Sequence, residues 1–295
     1  MTRLRRGTSA TDNHSITAGP GRWGVRHHLV AYLVLGIGAL TMILPFLWMF
    51  GTSLSRQANR SMPRVPTFWP ADPSDFNYTV ASSNLPLFQF YFNSVVTVAA
   101  VTLGYLFFSS LVGYVFAKGR FPLRGPLFLL FLTTLFIPFP VLMIPLYLEI
   151  KSLGLSNSLA GLVAPFLVGG FGIFLMRQAM QSIPDDLVDA ARLDGAGEFH
   201  IYRTVMLPLV RPALAALAVI SVLWRWNDVL WPILVNSDRN LYTVTQGLAS
   251  AGRDSGIYTG VAMATASMAI LPVIIAYIVF QRWIIRGIAT TGTRG

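Results

Sequence analysis

Six times between residues 29 and 280 the sequence runs for some twenty residues with hardly a charge, at about 29–50, 91–117, 126–148, 159–180, 213–235 and 260–280. A bilayer core of ~30 Å takes about 20 mostly apolar residues to cross as a helix. Only 12% of the chain is charged and 54% is hydrophobic, where a soluble globular domain carries about 25% charged residues. The pattern predicts an all-α integral membrane protein with six transmembrane helices. The first run is 22 residues long with no A-x-A site after it, which favours a retained signal anchor over a cleaved signal peptide, whose apolar core is about 7–15 residues. Residues 1–28, with Arg3, Arg5, Arg6, Arg22 and Arg26, read as a disordered basic tail, and residues 29–295 as one membrane domain.

The net charge of +10 first suggests nucleic acid, which needs a basic stripe on a polar domain. Position argues otherwise. With the N-terminus in the cytoplasm, 15 of the 22 Lys and Arg fall on inner segments, 6 on outer ones, and Arg225 lies in a span. By the positive-inside rule this places both termini in the cytoplasm. The excess basicity is spread over four inner segments, so no nucleic-acid partner is expected, and the lipid bilayer is.

Catalytic machinery is not legible. There is no cysteine, and His14, His27, His28 and His200 form no H-E-x-x-H pair, so neither a metal site nor a thiol nucleophile is expected. Neither lysine, Lys118 or Lys151, stands in a G-x-x-x-x-G-K-[ST] phosphate loop, and no G-x-S-x-G elbow occurs. If the chain moves a solute against a gradient, the energy comes from a partner ATPase or from an ion gradient. An ion-coupled secondary transporter would show intramembrane carboxylates and inverted repeats. Only Asp228 lies within a span and no repeat is visible.

Seven prolines interrupt the spans, at 45, 138, 140, 145, 165, 232 and 272. Each removes a helix hydrogen bond, which suits moving helices around a pathway better than a simple anchor. The fifth span carries Trp224, Arg225, Asn227, Asp228 and Trp231. Arg225 and Asp228, three residues apart, share a helix face and can pair. Charges at such depth face a cavity or the bundle interior, and indole rings beside amide and carboxylate suit a sugar. These five are the substrate-path candidates, although one helix face cannot display all of them.

Between the fourth and fifth spans lies an acidic inner loop, with Asp185, Asp186, Asp189, Asp194 and Glu198 inside 14 residues. Pro184 fits a helix start, and the first two acids complement a helix N-terminus. Leu187, Ala190 and Ala191 read as a short apolar stripe, Gly195 can take positive φ, and a second helix starts by Glu198. The segment is thus a helix–turn–helix whose small-residue tip, with Ala190, Ala191, Gly195 and Ala196, can enter a groove on another protein.

Asp189-Ala190-Ala191, Gly195 and Val205-Met206-Leu207-Pro208 resemble the E-A-A-x-x-x-G-x(9)-I-x-L-P signature of permease subunits of bacterial ABC importers. Asp stands for the usual Glu and Val for the usual Ile. Asn93-Ser94, residues 113–117, Asn157-Ser158, residues 174–178, residues 226–232 and the tail 287–295 are similar to carbohydrate permeases of the maltose-transporter type. The resemblance implies import of a sugar, oligosaccharide or related polyol across the cytoplasmic membrane. It implies a second permease subunit, two ATPase subunits that use ATP and Mg, and an extracytoplasmic binding protein, with no cofactor held by this chain. Asp185, Asp189, Ala190, Ala191, Asp194, Gly195, Leu207 and Pro208 would form the coupling region seated in the ATPase. The fourth and fifth helices would then rock as rigid bodies.

Overall fold

The fold is that of a computed structural model, which describes residues 25–60, 68–254 and 258–291. Most of the predicted basic tail lies outside these residues. The regular elements among them are helical, beside one isolated bridge between Ser55 and Pro73. The chain divides into two units, residues 1–47 and 48–295. In the first, helix α1 (Val25–Ser53) runs onward from Val25, and its large apolar side chains from Val30 to Leu47 are exposed, as suits a helix whose solvent is lipid.

In the second unit, a short helix α2 (Phe76–Asn84) leads into α3 (Leu87–Lys118), an uninterrupted helix of 32 residues. Helices α4 (Arg124–Thr133) and α5 (Phe139–Ser152) follow, then α6 (Leu159–Val163), α7 (Gly170–Gln181), α8 (Asp185–Leu193) and α9 (Glu198–Ile201). The chain continues through α10 (Leu207–Leu209), α11 (Arg211–Trp226), α12 (Leu230–Val235), α13 (Val244–Asp254) and α14 (Thr259–Thr291).

Val30–Ser53 and α3 are each long and apolar enough to cross a bilayer alone. Three further pairs meet that test only when joined across a bend. The third apolar segment turns by 104° between Phe136 and Phe139. Ile137 precedes a proline and is extended, with φ −91° and ψ 114°, because the proline ring disfavours a helical residue before it. The fourth segment bends by 46°, where a tight turn at Ala164–Phe166 carries Pro165 and extended Gly169 follows. The stretch Glu198–Leu209 meets α11 at 80°. In the sixth segment the described apolar helix runs Thr259–Ile275.

The fifth segment also differs from a continuous span over 213–235. α11 stops at Trp226 and α12 begins at Leu230. The Asn227 amide donates to the carbonyl of Leu223 at 2.8 Å, and Asp228 accepts from the Trp231 N–H at 3.3 Å. One side chain bonds back into the helix that ends, while the next takes an N–H from the first turn of the helix that follows.

Lipid tails gain nothing from burying apolar helix faces against each other, so close packing and polar contacts hold such a bundle. α3 supplies both. At Gly113 an added Cβ would lie 2.7 Å from Met176 Cβ and 3.0 Å from the Arg177 backbone nitrogen, so α3 and α7 touch nearly backbone to backbone. The α3 carbonyls of Phe116, Ala117 and Gly119 accept three N–H groups of Arg124 at 2.8–3.0 Å, which closes the helix end.

Candidate functional site

The acidic loop is a helix–turn–helix. α8 ends at Leu193, and Gly195 takes φ +81° in the turn, a conformation that costs other residues about 1–2 kcal/mol. The second helix starts at Glu198. Its next turn, Tyr202–Met206, is widened to π form, ahead of Pro208, which has no N–H to offer Thr204. Leu207 and Pro208 are half-buried at the corner before α11.

α8 buries one side and leaves most of the apolar stripe on the other. Val188 is buried and packs with Ala191 among Met180, Ile201, Tyr202 and Met206, whereas Leu187 and Ala190 point outward. The reason is polar. Asp185, Val188 and Arg192 share a helix face; Asp185 is tethered directly to α3, and Arg192 reaches it through Glu198. Lys118, its side chain only 4% exposed, pairs with Asp185 and donates to the carbonyl of Ile183 at 2.6 Å. Arg192 holds Asp189 at 2.9 Å and Glu198 at 2.8 Å, and Glu198 also accepts the Tyr114 hydroxyl at 2.6 Å. The hydrogen bond and charge of Lys118 hold the Asp185 carboxyl below its ordinary pKa. Arg192, then Tyr114, do the same for Glu198. The outward side exposes Leu187, Leu193 at 89% and Phe199 at 62%, with Asp186 and Asp194 beside them.

Tyr114, inside the 113–117 block, and Lys118 carry no role in the sequence reading, and they belong to a longer series. Ser94, Thr102, Ser110, Tyr114 and Lys118 lie at multiples of four residues on one row of α3. Each bonds across the bundle: Ser94 accepts from Val244 N at 2.9 Å, Thr102 meets Ser221 at 3.1 Å and Ser110 meets Tyr202 at 2.7 Å. On the adjacent row, Asn93 donates to the carbonyls of Asn240 and Tyr242, and the Tyr105 hydroxyl accepts from Gly172 N at 2.8 Å. This four-residue spacing of polar groups inside an apolar run was the available signal.

The substrate-path candidates separate. Arg225 and Asp228 pair at 2.9 Å, but the pair straddles the end of α11 instead of lying along a helix face. The Arg225 guanidinium also stacks on Phe166, 3.7 Å from the ring centre. Trp231, 1% exposed, packs against Phe139 and Phe166 and donates to the carbonyl of Gly161 at 3.1 Å. A cavity of about 10 Å³ beside Arg225, Asp228, Trp231 and Thr97 has room for about one water. By contrast Trp224 is 52% exposed, with Phe171 5.5 Å away between ring centres, and Asn227 is exposed. Among the described residues no cluster of His, Cys, Asp and Glu could hold a metal.

A bundle of broken apolar helices bearing an anchored acidic helix–turn–helix defines a membrane transport permease. The family of binding-protein-dependent transport system inner membrane components matches residues 107–290, and the chain belongs to it. It is 36% identical over 208 residues to the arabinooligosaccharides transport system permease protein AraQ of Bacillus subtilis, covering 70% of this chain and 74% of that one. It is 33% identical over 272 residues to the sn-glycerol-3-phosphate transport system permease protein UgpE of Agrobacterium fabrum, covering 89% and 96%. Among solved structures, a chain of a bacterial ABC transporter involved in the import of the acidic polysaccharide alginate superposes with a TM-score of 0.74. The two are 27% identical, over 87% of this chain and 96% of that chain.

Proposed function

We propose that the chain is one of two permease subunits, in a heterodimer, of an ATP-driven importer of a carbohydrate or related polyol in the bacterial cytoplasmic membrane. The observation that carries the reading is the helix–turn–helix at 185–197, tethered on one side by Lys118 and Arg192 and apolar on the other at Leu187 and Leu193. That outward face suits a groove on an ATPase, with Asp189, Asp194 and Gly195 at the seat. ATP and Mg act on two ATPase subunits, and an extracytoplasmic binding protein delivers the solute. The chain crosses the membrane six times with both termini in the cytoplasm, as its charge distribution argues.

In this mechanism, closure of the ATPases levers the loop, and α3 carries the movement. The fourth and fifth segments are bent or broken, so α3 is the better transmitter. The relatives' named solutes, arabinooligosaccharides and sn-glycerol-3-phosphate, and the neighbour's alginate support a hydroxyl-rich cargo. The exposed Trp224 and Asn227 offer an apolar ring face and an amide to such a solute.

Co-purification of the chain with an ATPase, and a ligand thermal-shift screen of the binding protein, test the assembly and the solute class. Asp189→Lys and Gly195→Val should uncouple ATP hydrolysis from uptake. Unchanged uptake and unchanged binding-protein-stimulated hydrolysis in both variants would refute the coupling role.

A further inference from the structure

Behind α8, on the side turned away from the outward apolar face, lies a cavity of about 60 Å³, several times the ~10–15 Å³ that one water needs. Lys118, Arg120, Arg124 and Arg192 line it against Asp185 and Asp189, and with Glu198 also held by Arg192 one positive charge remains in excess. The carboxylates are taken by Lys118 and Arg192. Arg124 spends three of its five N–H donors on the end of α3, and Lys118 spends two of its three. Arg120 is exposed and makes no hydrogen bond among the described residues, though its charge is felt at Asp185. The cavity is thus a concave cationic surface with donors to spare.

Apolar surface adjoins a lining residue in the chain: Leu123, 68% exposed, precedes Arg124, and Leu127, 41% exposed, follows one turn into α4. Leu123 stands at φ +61°, a left-handed backbone that costs a leucine about 1–2 kcal/mol, immediately before the cavity-lining Arg124 in the chain. A freely soluble anion makes no use of these leucines, whereas the acyl chains of a phospholipid lie along them.

We propose that this cavity binds a phosphate-bearing anion, supplied in the membrane by the headgroup of an anionic phospholipid. Basic pockets at the cytoplasmic ends of transmembrane helices take such headgroups. Because the bound phosphate shares Lys118 with Asp185, it competes for the tether between α3 and the helix–turn–helix, so lipid composition sets how firmly that loop is held. The inference rests on the membrane placement above, but its binding test is independent of transport.

The test uses the full chain purified with its partner subunits in detergent. Its thermal midpoint is followed during titration with dioleoyl phosphatidylglycerol, with dioleoyl phosphatidylcholine and with inorganic phosphate. Arg120→Gln removes the cation that holds nothing else, and Arg203→Gln is the control, an exposed arginine of the same loop outside the cavity. Phosphatidylglycerol should raise the midpoint and phosphatidylcholine should not. The half-saturating concentration should rise about fivefold in Arg120→Gln, the equivalent of one basic residue near an anionic surface, and stay unchanged in Arg203→Gln. Stabilisation by inorganic phosphate with the same Arg120 dependence upholds the phosphate site and overturns the lipid source. No Arg120-dependent effect of either ligand, or equal shifts in both variants, overturns the site. Uptake assayed in parallel by reconstituted wild-type complex keeps a failure of the transport reading separate.

Discussion

Tyr114→Phe and Glu198→Gln, made singly and together, test whether the helix–turn–helix drives α3 through a coupled network. Tyr114→Phe removes one hydroxyl and keeps the ring against Tyr202, 5.6 Å away between centres. What is lost is a 2.6 Å hydrogen bond to a carboxylate. Hydrogen bonds to charged groups contribute about 1.5–3 kcal/mol when well buried. The Glu198 side chain is 58% exposed, and measured interhelical hydrogen bonds in membranes average ~0.6 kcal/mol. About 1 kcal/mol is therefore the working figure, or about fivefold in the balance between tethered and released loop. Glu198→Gln weakens the same contact and removes the charge that holds Arg192 at 2.8 Å. The readout is uptake per ATP hydrolysed in proteoliposomes with the binding protein present. Each single variant should lower that ratio about fivefold, and the double variant should fall little further, since both changes cut one link. A double variant lowered about 25-fold, the product expected of independent sites, would refute the network, and so would single variants with unchanged ratios.

Gly113→Leu forces α3 from α7, because the new Cβ would meet the Met176 side chain and the Arg177 backbone; a loss of ~1–3 kcal/mol should appear as a lowered thermal midpoint in detergent. The lowered pKa values of Asp185 and Glu198 mean that their stabilisation is complete above the ordinary carboxylate range and is lost as pH falls through the lowered values. Uptake per ATP should stay level down to about pH 5 and collapse only below about pH 4, and Asp185→Asn should remove part of that acid limb. Trp231→Ala empties a packed aromatic site and should cost about 3–5 kcal/mol, seen as failed assembly. Trp224→Ala should change stability by no more than about 0.5 kcal/mol while lowering uptake.

Sequence alone carried the local rules well and the long-range ones poorly. The acids, the proline and Gly195 were enough to place a helix–turn–helix at 185–198, because capping and backbone preference act over a few residues. The Arg225–Asp228 pairing followed from spacing, yet the helix end between them did not. That end depends on how Asn227 and Asp228 choose among backbone partners. The prolines announced kinks, but the 104° turn of the third segment and the 46° bend of the fourth also depend on packing, as where Phe139, Phe166 and Trp231 meet. The burial of Val188 is likewise a tertiary choice, set where Lys118 of another helix holds Asp185. Only the polar row of α3 was present in plain spacing, and the uninterrupted hydropathy of that helix concealed it.

That row also bears on what can move independently. Releasing Asp185 takes from the Lys118 ammonium, with its side chain 4% exposed, its one carboxylate partner among the described residues and leaves it the carbonyl of Ile183. Moving α3 with the loop keeps that contact, so α3 follows. At its other end Asn93 and Ser94 grip residues 240–244, and Thr245 donates to the Asp228 carbonyl at 2.7 Å. The segment that carries the substrate-path candidates is thus tied to α3, the helix that holds the loop. The absence of cysteine from the sequence makes this directly testable by crosslinking. Ser94→Cys with Val244→Cys, joined by a short bifunctional reagent, fixes two groups that move together and should leave uptake near that of the uncrosslinked pair. Loss of uptake on crosslinking, restored by a cleavable reagent, would show that α3 and the 240–244 segment separate during transport and would overturn the argument.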